Sequence, residues 1–237
     1  MAIIGINGRI SSGKDLVGNI IQYLSSPLDI SKTSFRDFIK YYGQKRGFES
    51  SWEIKKFAYK LKQIASILTG IPIEKFEEQE FKKTYLGDEW SNQYGDRMSV
   101  RELLQRLGTN CVRDNLHQNT WVNALFADYK VHIDGYPALV KSDGQDLIEG
   151  QKYSMGEAVY PNWCITDVRF PNEAQAIKDR GGIIVRINRG EQSEENLHIS
   201  ETALDNWDFD FIINNDSSIE DLIKKVKDTI GDYIFKN

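Results

Sequence analysis

The segment at residues 8–15, GRISSGKD, constrains the fold of this chain more than any other part of the sequence. It follows an apolar run at residues 2–6 and precedes an apolar segment with helical spacing at residues 16–24. A strand, a glycine-bounded loop and a helix start form the setting in which G-x-x-x-x-G-K-[ST] binds phosphate. The sequence therefore predicts a phosphate-binding loop between a strand and a helix.

Most positions of this loop have a predicted role in binding a nucleotide phosphate. Gly8 and Gly13 allow a close backbone approach that a Cβ would obstruct. Ser11 and Ser12 lie between them, where backbone N–H groups form a concave anion site. Lys14 supplies a point charge for the β- and γ-phosphate oxygens.

Position 15 departs from the pattern, because Asp15 stands where a Ser or Thr hydroxyl would contact Mg²⁺. A carboxylate is also a hard oxygen ligand, so Asp15 either contacts the metal, directly or through water, or simply favours the positive end of the helix.

Length and composition predict one large domain or a domain with an insertion. The chain has 237 residues, of which 40% are hydrophobic and 27% charged, as is typical of a soluble globular protein. It shows no apolar run of ~18 residues and no signal peptide. Its two cysteines have no metal-ligand spacing, which fits reduced thiols in the cytoplasm. The net charge of −5 argues against a protein that coats nucleic acid.

Strand and helix signals alternate along the chain, which predicts an α/β fold with a doubly wound, mostly parallel sheet and helices on both faces. Strands are predicted at residues 2–6, 52–57, 163–166, 183–187 and 211–213. Helices with predicted bounds cover residues 16–24, 58–68, 74–83, 99–107, 172–180 and 218–233. Three more are predicted without firm bounds: one within residues 28–51, one that begins near residue 109, and one that contains residue 121. Residues 131–160 show no clear periodicity and predict a lid, a hairpin or a disordered insert.

Several cations and one carboxylate stand at positions where nucleotide phosphates bind. Asp167 and Arg169 follow a predicted strand, and ligands bind at the carboxyl end of such strands. Arg101 lies in a helix whose start has a capping box, and it either binds phosphate or forms a helix ion pair. Lys62 lies in the first turn of another helix, where it either shares an anion or is solvated.

Arg186 and Arg189 flank the start of a polar segment at residues 188–200. They either contact ATP or close over it as a lid, or they are solvated loop residues.

Four blocks of the sequence, in this order, resemble the deoxynucleoside monophosphate kinases of tailed bacteriophages. They are GRISSGKD, MSVRELLQRLGTNCVRDN with Trp121 downstream, ITDVRFPNEAQAI, and HISE at residues 198–201. That family also carries GKD, so Asp15 is a shared feature. Some members have basic residues at the loop positions that are Ile10 and Ser11 here, and this chain lacks them. The resemblance excludes roughly residues 27–51 and 131–160.

The resemblance implies a P-loop kinase fold in a single domain of residues 1–237. An acceptor-binding helical region is expected at about 58–130, and an irregular insert at about 131–160. The implied reaction moves the γ-phosphoryl group of ATP, with Mg²⁺, to a 5′-deoxynucleoside monophosphate. A phage-encoded enzyme would act in the host cytoplasm. No stable nucleic acid partner and no membrane are expected, and a homodimer is left open.

The chemistry of phosphoryl transfer, together with the resemblance, gives roles to residues of this sequence. Lys14, Asp15 and Arg169 are expected to be catalytic, and Asp15 and Asp167 to hold Mg²⁺. The loop residues, with Arg186 and Arg189, are expected to bind ATP. The residues expected to bind the acceptor are Ala58, Lys62, Arg101, Gln105, Gly108, Thr109, Arg113, Trp121, Asp167, Arg169 and Glu173.

Some alternatives stay open at this point. Trp121 is either packed in a core or beside a flat ligand, and His198 is expected to be structural rather than an acid or base. Two other functions remain alternatives to a deoxynucleoside monophosphate kinase. The chain is then either a P-loop kinase of another small phosphorylated metabolite, or a nucleotide-binding ATPase or switch without an acceptor. The guanine-binding N-K-x-D pattern of GTPases does not occur in the sequence.

Overall fold

The structure is a computed structural model that describes residues 2–41, 50–130, 132–133, 136–137, 158–190 and 199–236. The chain forms two compact units. Met1–Lys55 and Asp128–Asn237 make up the first, here called the sheet unit. Lys56–Ala127 makes up the second, here called the helical unit.

The sheet unit is built on five parallel strands in the order β2–β6–β1–β7–β8, which confirms the predicted α/β class. A small antiparallel sheet has the order β4–β3–β5. The strands in the described chain are β1 (Ile3–Asn7), β2 (Trp52–Lys55), β3 (His132–Ile133), β4 (Tyr136–Pro137), β5 (Ala158–Val159), β6 (Asn162–Ile165), β7 (Ile183–Asn188) and β8 (Phe211–Asn214).

Helices account for much of the remaining described chain. The α-helices are α1 (Lys14–Leu24), α2 (Phe35–Tyr41), α3 (Ala58–Thr69), α4 (Val100–Gln105), α5 (Thr120–Phe126), α6 (Pro171–Lys178), α7 (Ile199–Thr202) and α8 (Ile219–Phe235). Three 3₁₀ segments cover Ile73–Glu77, Phe81–Lys83 and Asp88–Trp90, and a π-helix covers Arg106–Asp114.

The central strand β1 is buried at every residue because helices cover both faces of the sheet. Successive side chains of a strand point to opposite faces. Ile4 and Ile6 belong to the core that also contains residues of α1 and α8. Between them, Gly5 faces α6, since a Cβ there would come within 2.7 Å of Ile177 Cδ1. The predicted helices on both faces of the sheet are therefore present.

This arrangement brings the functional segments to one edge of the sheet. The phosphate-binding loop follows β1, the Asp167–Arg169 segment follows β6, and Arg189 follows β7. Because all three strands are parallel, their carboxyl ends meet at that edge.

Of the predicted irregular segment at residues 131–160, the structure describes β3, β4, β5 and Tyr160. The rest of that segment and residues 42–49 lie outside the described residues. In the described part of the chain, no helix is long and apolar enough to span a membrane.

The helical unit differs from the sequence prediction in two places. The single charged surface helix predicted at residues 74–83 is wrong, because two 3₁₀ segments occur instead and Phe76 is fully buried. The predicted helix end at Gly108, with a new helix from Thr109, is also wrong. The chain stays helical through Gly108 as a π-helix. By contrast, α3 ends at Gly70 as predicted, with a left-handed φ of 70°.

Replacing Trp52 with alanine is expected to destabilise the sheet unit strongly. The Trp52 side chain is fully buried in the core, and its indole N–H donates to the Ile234 carbonyl at 3.3 Å. Truncating such a side chain costs about 3–5 kcal/mol of unfolding free energy. Urea denaturation measures the loss. Phe235→Ala is the control, because Phe235 is 53% exposed; an equal effect of both changes would contradict the assigned core.

Candidate active site

The phosphate-binding loop has the backbone that its sequence predicts. Gly13 has a φ of 99°, and a Cβ there would lie 2.5 Å from Asn215 Nδ2. At Gly8 a Cβ would lie 2.6 Å from the Ile187 carbonyl oxygen. Ser11 has a φ of 63°, an uncommon conformation for a residue with a side chain. Both glycines are therefore required by the local packing of the loop.

Ser12 lies at the buried base of this loop. It is 1% exposed, and its hydroxyl has no hydrogen-bond partner among the described residues. Its carbonyl accepts from Asn215 Nδ2 at 2.9 Å. Asn215 follows β8, so the last strand of the sheet fixes the loop in place. A buried hydroxyl without a partner is a donor available to a phosphate oxygen.

Lys14 lies at the centre of a group of charged side chains. Its ammonium donates to the carbonyl oxygens of Gly8 at 2.6 Å and Arg9 at 2.7 Å. Burial and, to a smaller extent, the nearby Arg169 guanidinium lower the pKa of Lys14 to about 8. The carboxylates of Glu201, Asp15 and Asp167 oppose this shift. The sheet unit thus brings the predicted residues Lys14, Asp15, Asp167 and Arg169 together.

The lowered pKa of Lys14 predicts a pH dependence of nucleotide use. The ammonium is protonated below its pKa of about 8, so kcat/KM for ATP should be level near neutral pH and fall as the pH rises through about 8. With the acceptor held saturating, kcat/KM for ATP is measured against pH. Lys14→Arg should remove this fall, since arginine stays charged. A fall of the same size in Lys14→Arg would contradict the assignment.

Asp15 and Asp167 are the residues predicted to hold Mg²⁺. Asp15 accepts a hydrogen bond from the Thr166 hydroxyl at 2.7 Å. Thr166 and Asp167 directly follow β6, and both carboxylates act on Lys14. Mg²⁺ in phosphotransferases binds one or two carboxylates together with waters and substrate phosphates, which this pair fits. The metal role remains a prediction.

Arg169 and Glu173 share the segment after β6. The Glu173 side chain is buried, and its Oε2 accepts the backbone N–H of Arg169 at 2.8 Å and of Phe170 at 3.1 Å. Glu173 therefore fixes the backbone that carries Arg169. The predicted contact of Glu173 with the substrate phosphate or sugar remains a prediction.

A cavity of about 320 Å³ adjoins the phosphate-binding loop. Its lining residues are Arg9, Ser12, Arg186, Ile187, Asn188, Arg189 and Gly190. Arg189 donates to the Ser11 carbonyl at 3.4 Å. Arg186 lies in β7, and its side chain is only 13% exposed because it pairs with Asp205 at 2.9 Å. The solvated-loop alternative for Arg186 is therefore wrong, while contact with ATP stays a prediction for both arginines.

In the helical unit, Lys62 is not a solvated surface residue. It is buried and pairs with Glu77 at 2.6 Å, so a carboxylate of the same unit is the anion at this helix start. Burial works to raise the pKa of Glu77, but the hydrogen bond and charge of Lys62, and the charge of Lys56, lower it overall. Ala58, in the same turn of α3, is partly exposed.

Gly108 and Trp121 are joined by a hydrogen bond within the helical unit. Trp121 is 6% exposed, and its indole N–H donates to the Gly108 carbonyl at 2.8 Å. A Cβ on Gly108 would lie 2.8 Å from Leu61 Cδ2. Both residues are therefore packed in this unit, which fits the core alternative for Trp121.

The remaining residues predicted for the acceptor are spread along α4 and the π-helix. Arg101 donates to Gln79 Oε1 at 3.4 Å, and Glu102 pairs with Arg106 at 2.6 Å. Within the described residues, Arg101 does not form the helix ion pair that was the alternative to phosphate binding. The other members differ in exposure: Gln105 and Thr109 are partly exposed, and Arg113 is buried.

A sequence model of the deoxynucleotide monophosphate kinase family matches residues 46–226 of this chain. The chain belongs to this family. The match covers three of the four sequence blocks and confirms the resemblance that they indicated.

Relatives of this kinase family member come from viruses of bacteria and amoebae. A deoxynucleotide monophosphate kinase of Enterobacteria phage T4 is 29% identical over 139 residues, which are 59% of this chain and 48% of the relative. That of Escherichia phage RB69 is 25% identical over 136 residues, which are 57% and 46% of the two chains. A protein of Acanthamoeba polyphaga mimivirus is 26% identical over 182 residues, 73% and 79% of the two chains. The chain thus spans about half the length of the two phage relatives.

The structure of this kinase family member adds Glu201, to which the sequence assigned no role. The Glu201 side chain is 6% exposed, and it pairs with the Arg169 guanidinium. Its second oxygen accepts the Ile10 backbone N–H at 3.0 Å. One carboxylate therefore links Arg169 to the phosphate-binding loop. Glu201 is the last residue of the HISE block, but the partners of its side chain come from segments that are distant in the sequence. His198, in the same block, lies outside the described residues.

Asn215 is a second residue that the sequence analysis missed. It follows β8 at the carboxyl end of the sheet, and its amide supports the loop at Ser12. The rule that indicated Arg169, namely that ligands bind at the carboxyl ends of parallel strands, would have indicated Asn215 as well.

Proposed function

We propose that this chain is a deoxynucleoside monophosphate kinase that transfers the γ-phosphoryl group of ATP to a 5′-deoxynucleoside monophosphate, giving ADP and a deoxynucleoside diphosphate. The observation that carries the proposal is the grouping of Lys14, Arg169, Asp15 and Asp167 at one phosphate-binding loop. Membership of the deoxynucleotide monophosphate kinase family supports the choice of acceptor.

Phosphoryl transfer asks the protein mainly for positioning and for charge stabilisation. In the proposed reaction the loop amides, the Ser12 hydroxyl and Lys14 bind the donor phosphates. Arg169 stabilises negative charge on the transferred group, and Glu201 orients its guanidinium. A Mg²⁺ ion held by Asp15 and Asp167 would neutralise phosphate charge. No general base is required, because an acceptor phosphate oxygen is already a nucleophile.

The donor and acceptor residues of the proposal come from different parts of the chain. Arg186 and Arg189 are proposed to contact ATP, since both line the cavity beside the loop. Arg101 is proposed as the main acceptor contact in the helical unit, because a planar guanidinium binds phosphate in a bidentate manner. The other proposed acceptor residues are Ala58, Gln105, Gly108, Thr109, Arg113 and Glu173. Lys62 and Trp121 are proposed to support them from the core of the helical unit, since Lys62 pairs with Glu77 and Trp121 donates to Gly108.

An acceptor panel tests this proposal. ADP release is measured with ATP, with and without Mg²⁺, against the common deoxy- and ribonucleoside monophosphates and other small phosphorylated metabolites. We expect release that requires Mg²⁺ and at least one deoxynucleoside monophosphate. Release with a different phosphorylated metabolite alone would favour another small-molecule kinase. Release that needs no acceptor would favour an ATPase.

A further inference from the structure

The helical unit contains four cations grouped around a single carboxylate. Glu77 accepts from Lys62 at 2.6 Å and from Lys56 at 3.4 Å. Lys82 interacts electrostatically with Glu77, Lys62, Lys56 and Arg101. Four positive charges and one negative charge leave a strong local excess of positive charge, although the whole chain has a net charge of −5.

Short elements of the helical unit bring this cluster together. Lys82 lies in the 3₁₀ segment Phe81–Lys83, which packs against Ile73–Glu77 and against α4. The rings of Phe76 and Phe81 meet edge to face, with centroids 6.4 Å apart. Lys82 is therefore held by packing next to Glu77 on one side and the helix of Arg101 on the other.

The other acidic residues on these elements do not neutralise Lys82. Glu78 pairs with Lys75 at 2.9 Å, and Glu80 pairs with Lys83 at 2.7 Å. On α4, Glu102 pairs with Arg106. Glu74 is exposed and forms no ion pair within the described chain. Each nearby carboxylate other than Glu74 and Glu77 thus already has its own cation.

Lys82 and Arg101 are the two members of the cluster without a carboxylate partner in the described residues. The Lys82 ammonium has no hydrogen-bond or ion-pair partner there, although Lys82 is half-buried. Among the described residues, Arg101 donates a hydrogen bond to the neutral Gln79 side chain, at 3.4 Å. Burial, together with the charges of Lys62, Arg101 and Lys56, lowers the pKa of Lys82 to about 8. A half-buried ammonium among cations is costly unless an anion joins it.

We propose that Lys82 and Arg101 form a binding site for a phosphomonoester dianion, and that this site holds the 5′-phosphate of the acceptor. The second part rests on the proposed kinase function. Arg101 supplies a planar fork for two phosphate oxygens, and Lys82 supplies a point charge. Glu77 is a positioning residue, since it holds Lys56 and Lys62 beside the site. The sequence analysis assigned neither Lys82 nor Glu77 a role.

Lys82→Met tests the site, with Lys83→Met as its matched control. Methionine keeps an unbranched side chain of similar length but removes the charge, and Lys83 is the exposed neighbour that pairs with Glu80. Calorimetry measures the binding of each common deoxynucleoside monophosphate and of its unphosphorylated nucleoside, without ATP. We expect Lys82→Met to weaken monophosphate binding about tenfold to a hundredfold, as for lost charge-assisted contacts. Nucleoside binding and ATP binding should stay unchanged, and Lys83→Met should match the natural chain.

The pH dependence of binding gives a second measurement. The free ammonium is charged below its pKa of about 8, so monophosphate affinity should fall as the pH rises through about 8. Proton uptake should accompany binding near that pH, because a bound dianion raises the pKa of the lysine. Lys82→Arg should retain affinity and lose the pH dependence. It also keeps the test valid if Lys82→Met folds poorly. Lys14 does not interfere, because ATP is absent.

The outcomes separate the site from the kinase function. Monophosphate binding by Lys82→Met as tight as that of Lys83→Met would overturn the site, even in a chain that phosphorylates deoxynucleoside monophosphates. Binding of a different phosphomonoester that depends on Lys82, with no binding of any deoxynucleoside monophosphate, would support the anion site. That result would overturn its assignment to the acceptor together with the kinase proposal.

Discussion

Replacing Lys14 with alanine is expected to lower kcat/KM by about two orders of magnitude. A charge-assisted contact with a phosphate oxygen is worth roughly 1.5–3 kcal/mol, which corresponds to roughly a tenfold to 150-fold change in rate. Lys14 is the lysine of the loop, and its ammonium already lies against the carbonyl oxygens of Gly8 and Arg9. Steady-state kinetics with ATP varied and acceptor saturating measure the loss.

The matched control is Lys236→Ala at the end of α8. Lys236 forms an exposed ion pair with Asp232 at 3.0 Å, and such pairs contribute little to stability. Circular dichroism checks that both variants are folded. If Lys14→Ala were as active as Lys236→Ala, the interpretation of the loop as the phosphate-binding loop of a phosphotransferase would be wrong.

Arg169→Ala is expected to have the second large effect, a fall in kcat of about a hundredfold or more. An arginine that stabilises the transferred phosphoryl group contributes roughly 10³–10⁵ in some phosphotransferases, and Arg169 is only one of several cations near the loop. ATP binding should be nearly intact, because the loop amides, Ser12 and Lys14 remain. Titration with ATP and steady-state kinetics separate the two quantities.

Two further variants sharpen the test of Arg169. Arg169→Lys keeps a positive charge but loses the planar fork, so it should recover only part of kcat. Arg36→Ala replaces an exposed arginine of α2 and should leave kcat unchanged. Equal losses of ATP binding and of kcat in Arg169→Ala would mean that Arg169 mainly binds ATP, and would contradict its proposed role of stabilising the transferred phosphoryl group.

The parts of the fold that the sequence predicts well depend on local patterns. Apolar runs of strand length indicated β1, β6, β7 and β8, and the loop after β1 carries its own motif. The carboxyl ends of parallel strands share one edge. That rule was enough to expect Asp167 and Arg169 near Lys14, and the structure brings them there.

The parts that failed depend on contacts between distant segments. Glycine favours the end of a helix, but Gly108 lies inside one. It gives room to Leu61, and its carbonyl accepts from Trp121, so tertiary packing decides its conformation. The charges at residues 74–83 resemble a solvated helix face, yet Phe76 is buried and divides the segment.

The side chains around Lys82 illustrate the same limit for a site. Its environment comes from α3, two 3₁₀ segments and α4, and no single stretch of sequence contains the cluster. Glu201 is similar, since its two partners are Arg169 and the backbone of Ile10. Lys82 belongs to none of the four sequence blocks, and the HISE block that contains Glu201 does not indicate its partners, so only coordinates reveal them.

Phosphoryl transfer itself is tested most directly by following the label from ATP that is labelled in the γ-phosphate. The chain is incubated with this ATP, Mg²⁺ and one deoxynucleoside monophosphate at a time, and the products are separated. We expect label in the β-phosphate of a deoxynucleoside diphosphate when the natural chain is used, and much less of it with Lys14→Ala. Label recovered only as inorganic phosphate, with every deoxynucleoside monophosphate unchanged, would contradict this expectation.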